Sequence, residues 1–134
     1  MSRRHRGTIG IIGLGVMGGA FAKNLCAAGW RVIGFDLSCA RCREAKRYGT
    51  RIAHSAADVA QEARDVITSL SNAEALDSVS QELARVTLKP RVVIETSTFA
   101  IKEKQRAERI LRNAGHIMLD CTVSGTVPKQ GRKI

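Results

Sequence analysis

The 134-residue chain has no apolar run near the ~20 residues needed to cross a bilayer, which predicts a soluble protein with no membrane partner. Aromatic residues are scarce: one Trp, one Tyr and three Phe. They form no stripe with basic residues of the kind that stacks nucleobases. Close cysteine spacing occurs once, in Cys39 and Cys42, with Cys26 and Cys121 standing apart and no histidine at ligand spacing. A zinc knuckle needs a second such pair, so no metal is expected, and the four thiols read as reduced cysteines of a cytoplasmic protein. The basic tip MSRRHRG leads into an apolar stretch that glycines interrupt and that lacks a small-residue cleavage site, so no signal peptide is read. There is also no repeat, low-complexity tract or interdomain linker, and the length suits one domain.

What is present is an ordinary globular composition, 44% hydrophobic and 25% charged, with a net charge of +10. That charge is unevenly placed. Arg3, Arg4, Arg6, Lys129, Arg132 and Lys133 lie at the two ends, while residues 7–128 carry 16 basic against 12 acidic groups. Solvated basic arms, at 1–7 and 127–134, account for the excess better than a nucleic-acid surface does. The tail at 127–134 is expected to be poorly ordered.

Hydrophobic periodicity divides the rest into alternating elements. TIGIIG (8–13), RVIGF (31–35), the weak RIAH (51–54), DVITSL (65–70), RVVIETS (91–97) and HIMLDC (116–121) read as strands. Between the first two, Met17, Ala20, Phe21, Leu25 and Ala28 share a helical face that Gly29 terminates. Further helices are expected over 38–49, 55–63, 72–86 and about 100–114, the last with Ala107, Ile110, Leu111 and Ala114 on one face. The predicted fold class is α/β. About six parallel strands form a doubly wound, Rossmann-type sheet over 8–126 with helices on both faces.

Between the first strand and first helix lies Gly13-Leu14-Gly15-Val16-Met17-Gly18, a G-x-G-x-x-G pattern. In that setting the first glycine permits a tight turn, the second admits a pyrophosphate to bare backbone, and the third lets helix and strand pack closely. The helix N-terminus then offers its free N–H groups to the phosphates. Asp36, ending the second strand, places a carboxylate where ribose hydroxyls can donate to it. Such a carboxylate repels a 2′-phosphate, so NAD is preferred over NADP, although Arg41 and Arg43 lie close enough in sequence to attract one. An S-adenosylmethionine-dependent methyltransferase also pairs a glycine loop with such an acid, but the third glycine, spaced for a pyrophosphate, speaks against it.

GIIGLGVMGGAFAKNLCAAGWRVIGFD resembles the opening of the 3-hydroxyisobutyrate dehydrogenase group of β-hydroxyacid dehydrogenases, relatives of 6-phosphogluconate dehydrogenase. Gly13, Gly15, Met17, Gly18, Ala22, Asn24, Leu25 and Gly29 match that pattern, and Phe21 stands where methionine is usual. TSLSNAEAL resembles the loop after the fourth strand, which implies that Leu70 and Ser71 line the cofactor. ETST resembles the segment whose Thr98 reaches the nicotinamide side. LDCTVSG resembles the group's substrate motif, in which Ser124 and Gly125 would hold a substrate carboxylate. Thr122 replaces the usual proline and Thr126 the second glycine, and VPKQGRKI does not follow the continuation usual in the group.

The resemblance implies an NAD(P)-dependent dehydrogenase or reductase acting on a small β-hydroxy acid. In that group the proton donor is a lysine of a G-x-x-x-K-x-x-N motif in a second, helical domain, which also makes the dimer. The 134 residues contain no such motif, so no catalytic residue is assigned here. Lys23, although Asn24 follows it, lies off the apolar face of the first helix and reads as a solvated surface group. The expectation is a truncated form that binds cofactor without turnover on its own and dimerises only with the further domain. The alternative is a non-catalytic NAD(P)-binding sensor or interaction module.

Overall fold

The computed structural model of the chain describes residues 6–123. Ser124, Gly125 and the basic segment 127–134 lie outside the described residues, as do residues 1–5 of the other basic end. Eleven elements follow in the expected order: β1 (Thr8–Ile12), α1 (Val16–Ala27), β2 (Arg31–Phe35), α2 (Cys39–Arg47), β3 (Arg51–Ile52), α3 (Ala56–Glu62), β4 (Asp65–Thr68), α4 (Ala73–Arg85), β5 (Val92–Glu95), α5 (Ile101–Asn113) and β6 (Ile117–Asp120). The six strands pair in parallel in the order β3-β2-β1-β4-β5-β6.

Except for β2, which keeps its whole run, the strands are shorter than the runs that announce them, and the lost residues fall mostly at the carboxyl ends. β1 stops at Ile12 because Gly13 turns the chain at φ +98°, a conformation that L side chains rarely adopt. β3 keeps only two residues of its run; one more ladder bond, from Ala53 N–H to the Gly34 carbonyl at 2.8 Å, precedes the turn into Ser55. Helix starts follow from local side chains. Ser38, Ser55 and Asn72 accept from the N–H of Arg41, Asp58 and Ala75 at 3.3, 3.0 and 2.8 Å, each such cap contributing about 1 kcal/mol. At α5 the Glu103 carboxylate accepts from Ala100 N–H at 3.1 Å.

Right-handed crossovers decide which face each helix covers. The step from β1 to β2 to β3 moves one way, so α1 and α2 share a face; the return over β1 to β4 and on to β6 puts α3, α4 and α5 on the other. Alternate strand residues fill the two layers. Ile12, Val66 and Val93 pack with Val59, Leu83 and Leu111, while Ile11 and Val32 pack with Leu14, Ala22 and Ala45. Register carries the second face outward through Ile67, Ile94 and Leu119. There α1 and α2 have been left behind, and Ile117 and Leu119 are 55% and 46% exposed. Strand order reverses between β1 and β4, and at their carboxyl ends such sheets open a crevice for ligands.

At the opposite end of the sheet, His116 is buried, its Nδ1 accepting from Arg91 N–H at 3.0 Å. Burial holds its pKa below the ordinary 6.5; the Leu83 carbonyl opposes that and the Arg91 charge adds to it. The folded protein therefore takes up this proton less readily than the unfolded chain. The contribution of His116 is fully present above pH ~6.5 and is lost as pH falls below it. Thermal unfolding followed from pH 7.5 to 5.5 should show falling stability, with a shallower slope for His116→Gln. Equal slopes in the two proteins would remove this account.

Candidate functional site

The three loop glycines serve different ends. A Cβ on Gly13 would fall 1.9 Å from the Ser69 carbonyl oxygen, and one on Gly18 would fall 1.8 Å from the Gly13 carbonyl oxygen. These two positions are closed by the protein's own backbone. A Cβ on Gly15 would meet nothing within 4 Å. The open space at the second glycine is therefore available to a ligand, and it lies at the N-terminus of α1. Among the described residues, α1 alone of the five helices has neither a side-chain cap nor an acidic residue in its first turn. Its first N–H groups have no intrahelical acceptors and carry the positive end of the helix dipole.

Asp36 faces this turn from the end of β2. Its carboxylate accepts from Leu14 N–H at 2.7 Å and from Ser38 N–H at 2.8 Å. These bonds fix the side chain and the glycine loop relative to each other, and about two of the four lone-pair sites remain for other donors. Gly13, Gly15, Asp36, Leu70 and Ser71 come together along one cleft of about 310 Å³, floored by Ile12 and Phe35 and walled by Ala75 and Val79 of α4. Helix N–H donors at an uncapped N-terminus, an open glycine and an accepting carboxylate about one cleft are the groups that a dinucleotide needs. The profile described as the NAD binding domain of 6-phosphogluconate dehydrogenase matches residues 8–132. The chain belongs to this family.

The match to the 6-phosphogluconate dehydrogenase NAD-binding family extends past Thr126, where the recognisable motifs end. Among relatives, the mitochondrial 3-hydroxyisobutyrate dehydrogenase of Rattus norvegicus is 33% identical over 123 residues, covering 89% of this chain and 36% of the rat protein. A probable 3-hydroxyisobutyrate dehydrogenase of Dictyostelium discoideum is 34% identical over 128 residues, covering 93% and 40%. The solved 3-hydroxyisobutyrate dehydrogenase of Mycobacterium tuberculosis, described with L-serine, is 30% identical with a TM-score of 0.84, over 88% of this chain and 40% of its own. The chain thus spans well under half the length of these relatives.

Within this family domain the other site residues named from the sequence are placed unequally. Val16 is 75% exposed beside the loop, and Leu70 is half-buried on the cleft. Met17 is exposed. Leu14 has its side chain in the core and its N–H engaged by Asp36. Thr98 is exposed, three residues past the end of β5. Lys23 lies over the Tyr48 ring at 5.0 Å, a surface cation–π contact. Cys42 donates from Sγ to the Asp36 carbonyl at 3.3 Å, and all four cysteines are free thiols.

A polar cluster at the carboxyl ends of β4, β5 and β6 escaped the sequence reading. Glu95 is wholly buried: Oε1 accepts from Ser97 N–H at 2.6 Å and Oε2 from the Thr68 hydroxyl. Ser97 Oγ accepts from Leu70 N–H at 2.8 Å, joining this cluster to the cleft. Lys104 of α5, 5% exposed, sends its ammonium to Asp120 Oδ1 and Thr122 Oγ1, each at 2.7 Å, with Glu95 Oε1 at 4.0 Å. The bonds from Lys104 and Thr122 hold the Asp120 carboxyl below the usual carboxylate range. A signal existed: Lys104 precedes Ala107 and Leu111 on the buried stripe of α5, and a cation at such a position needs a partner inside.

Proposed function

We propose that the chain is the dinucleotide-binding part of an NAD(P)-dependent oxidoreductase that acts on a small β-hydroxy acid, and that by itself it binds cofactor without useful turnover. The observation that carries this reading is the conjunction of open space at Gly15 with the uncapped N-terminus of α1 and the Asp36 carboxylate on the same cleft. Bare backbone and helix N–H groups suit a pyrophosphate, and the free lone pairs of Asp36 suit ribose hydroxyls. The same carboxylate disfavours a 2′-phosphate, which supports NAD over NADP.

The cofactor supplies hydride transfer; the protein's part is to bind and orient it and to exclude water. Leu70 and Ser71 border the cleft, with Thr98 following the neighbouring strand. By resemblance, Ser124 and Gly125 hold the substrate carboxylate. Reduction of a carbonyl also needs a proton donor, and loss of a general acid costs about 10²–10⁴-fold. The family resemblance puts that donor in a lysine motif that these 134 residues do not contain.

Calorimetric titration of the chain with NAD, NADP and S-adenosylmethionine tests the binding half of this reading. NAD should bind most tightly and S-adenosylmethionine not at all; the reverse would overturn it in favour of a methyltransferase. NADH with methylmalonate semialdehyde tests the other half: enzyme-dependent oxidation at the rate of an ordinary dehydrogenase would refute the absence of turnover.

A further inference from the structure

Lys104 is placed unusually for a lysine: a buried ammonium, on the helix after β5, directed at the end of β6. Its three neighbours join separate parts of the site. Asp120 closes β6, Thr122 follows it by two residues, and Glu95 ends β5. Glu95 in turn fixes Ser97 through its N–H, and Ser97 fixes Leu70. Backbone bonds run in parallel, from Cys121 N–H to the Glu95 carbonyl at 2.8 Å and from Val123 N–H to the Thr96 carbonyl at 3.1 Å. The Thr122 hydroxyl lies 2.9 Å from Asp120 Oδ1 and 3.4 Å from the Ser97 carbonyl, so it bridges the two strand ends.

Structural need alone explains this arrangement poorly. Desolvating an ammonium is costly, and an apolar residue on the stripe of Ala107 and Leu111 would pack without that cost. What a charge provides here is directional bonding to Asp120 and Thr122 at the β6 exit together with an ion pair to Glu95 at the end of β5, which an apolar side chain cannot supply. Of the two strand exits it holds, Ser97 bonds Leu70 of the cleft and Thr122 lies against the Ser97 carbonyl.

We propose that Lys104 is a positioning residue for the nicotinamide end of the cofactor, clamping the β5 and β6 exits through Asp120, Thr122 and Glu95 so that the turns facing that ring keep one arrangement. The inference rests on the dinucleotide reading above. The clamp touches no cofactor atom itself; it acts through the turns it holds. It lies away from the glycine loop and Asp36, so it should leave the adenosine and pyrophosphate end undisturbed.

Comparing NADH with ADP-ribose, which lacks nicotinamide, isolates that effect. The full chain and two variants, Lys104→Gln and the milder Thr122→Val, are titrated with both, by nicotinamide fluorescence and by calorimetry. NADH should bind the unaltered chain more tightly than ADP-ribose. Each variant should lose about fivefold or more of that advantage, the scale of one ordinary hydrogen bond, while ADP-ribose affinity holds within about twofold. Thr122→Val removes a single hydroxyl, so it reports even where Lys104→Gln fails to fold. Equal loss of both ligands, or an unchanged NADH advantage, would show a merely structural clamp and overturn the proposal. So would equal binding of NADH and ADP-ribose by the unaltered chain. If neither ligand binds, the dinucleotide reading itself fails and takes this inference with it.

Discussion

Gly18→Ala is expected to destabilise the fold by at least about 3 kcal/mol, whereas Gly15→Ala should leave stability within about 0.5 kcal/mol and instead weaken dinucleotide binding. Alanine favours a helix over glycine by about 1 kcal/mol, so propensity alone predicts that Gly18→Ala helps. Sterics reverse this at Gly18, whose added methyl would fall 1.8 Å from the Gly13 carbonyl oxygen. That oxygen belongs to a turn already constrained by φ +98°, so it has no easy way to retreat. At Gly15 the backbone is extended, with φ −70° and ψ −155°, and no protein atom lies near the added methyl. The methyl would occupy the approach to the first turn of α1, where lost charge-assisted bonds to a phosphate are worth about 1.5–3 kcal/mol, or roughly 10–100-fold in affinity. Chemical denaturation and calorimetry with NAD check the pair. A stable Gly18→Ala protein, or a Gly15→Ala protein with undiminished affinity, would remove the division of labour assigned to the loop.

Asp36→Ala carries the second large effect, and it combines two losses. The carboxylate now accepts from Leu14 and Ser38 N–H. Removing it leaves a part-buried N–H at Leu14 without that acceptor, which costs about 1–3 kcal/mol. The same change removes the proposed acceptor for the ribose hydroxyls, so NAD affinity should fall by about 10–100-fold. NADP should lose less, because the charge that repels its 2′-phosphate disappears with the carboxylate. The ratio of NAD to NADP affinity is therefore the informative quantity, measured by calorimetry on both proteins. An unchanged ratio would deny Asp36 any part in cofactor choice.

Particular residues show why the site is only partly legible in the sequence. The glycine loop is readable because its chemistry is local: turn, pyrophosphate approach and helix start all fall within Gly13–Gly18. Asp36 is readable because it ends a strand whose period is plain. Leu14 reads as a cofactor residue along with its neighbours, yet its side chain packs between sheet and helices and its N–H serves Asp36. Spacing alone cannot say which way a loop residue faces. Glu95 and Lys104 escape a sequence reading for a related reason. Each looks like an ordinary charge in its own segment, and their meaning lies in an encounter between β5, α5 and β6.

From the sequence by itself came the order and type of all eleven elements, the parallel doubly wound sheet and the dinucleotide loop. These follow from hydrophobic period, turn residues and caps, which act over a few positions along the chain. Tertiary structure alone decided where each strand stops, how far the helices cover each sheet face and which loop glycine is open to a ligand. It also decided that a lysine ammonium sits beside a buried glutamate near the cleft. Those features depend on distances between residues far apart in sequence, set only when crossovers bring the strand ends together.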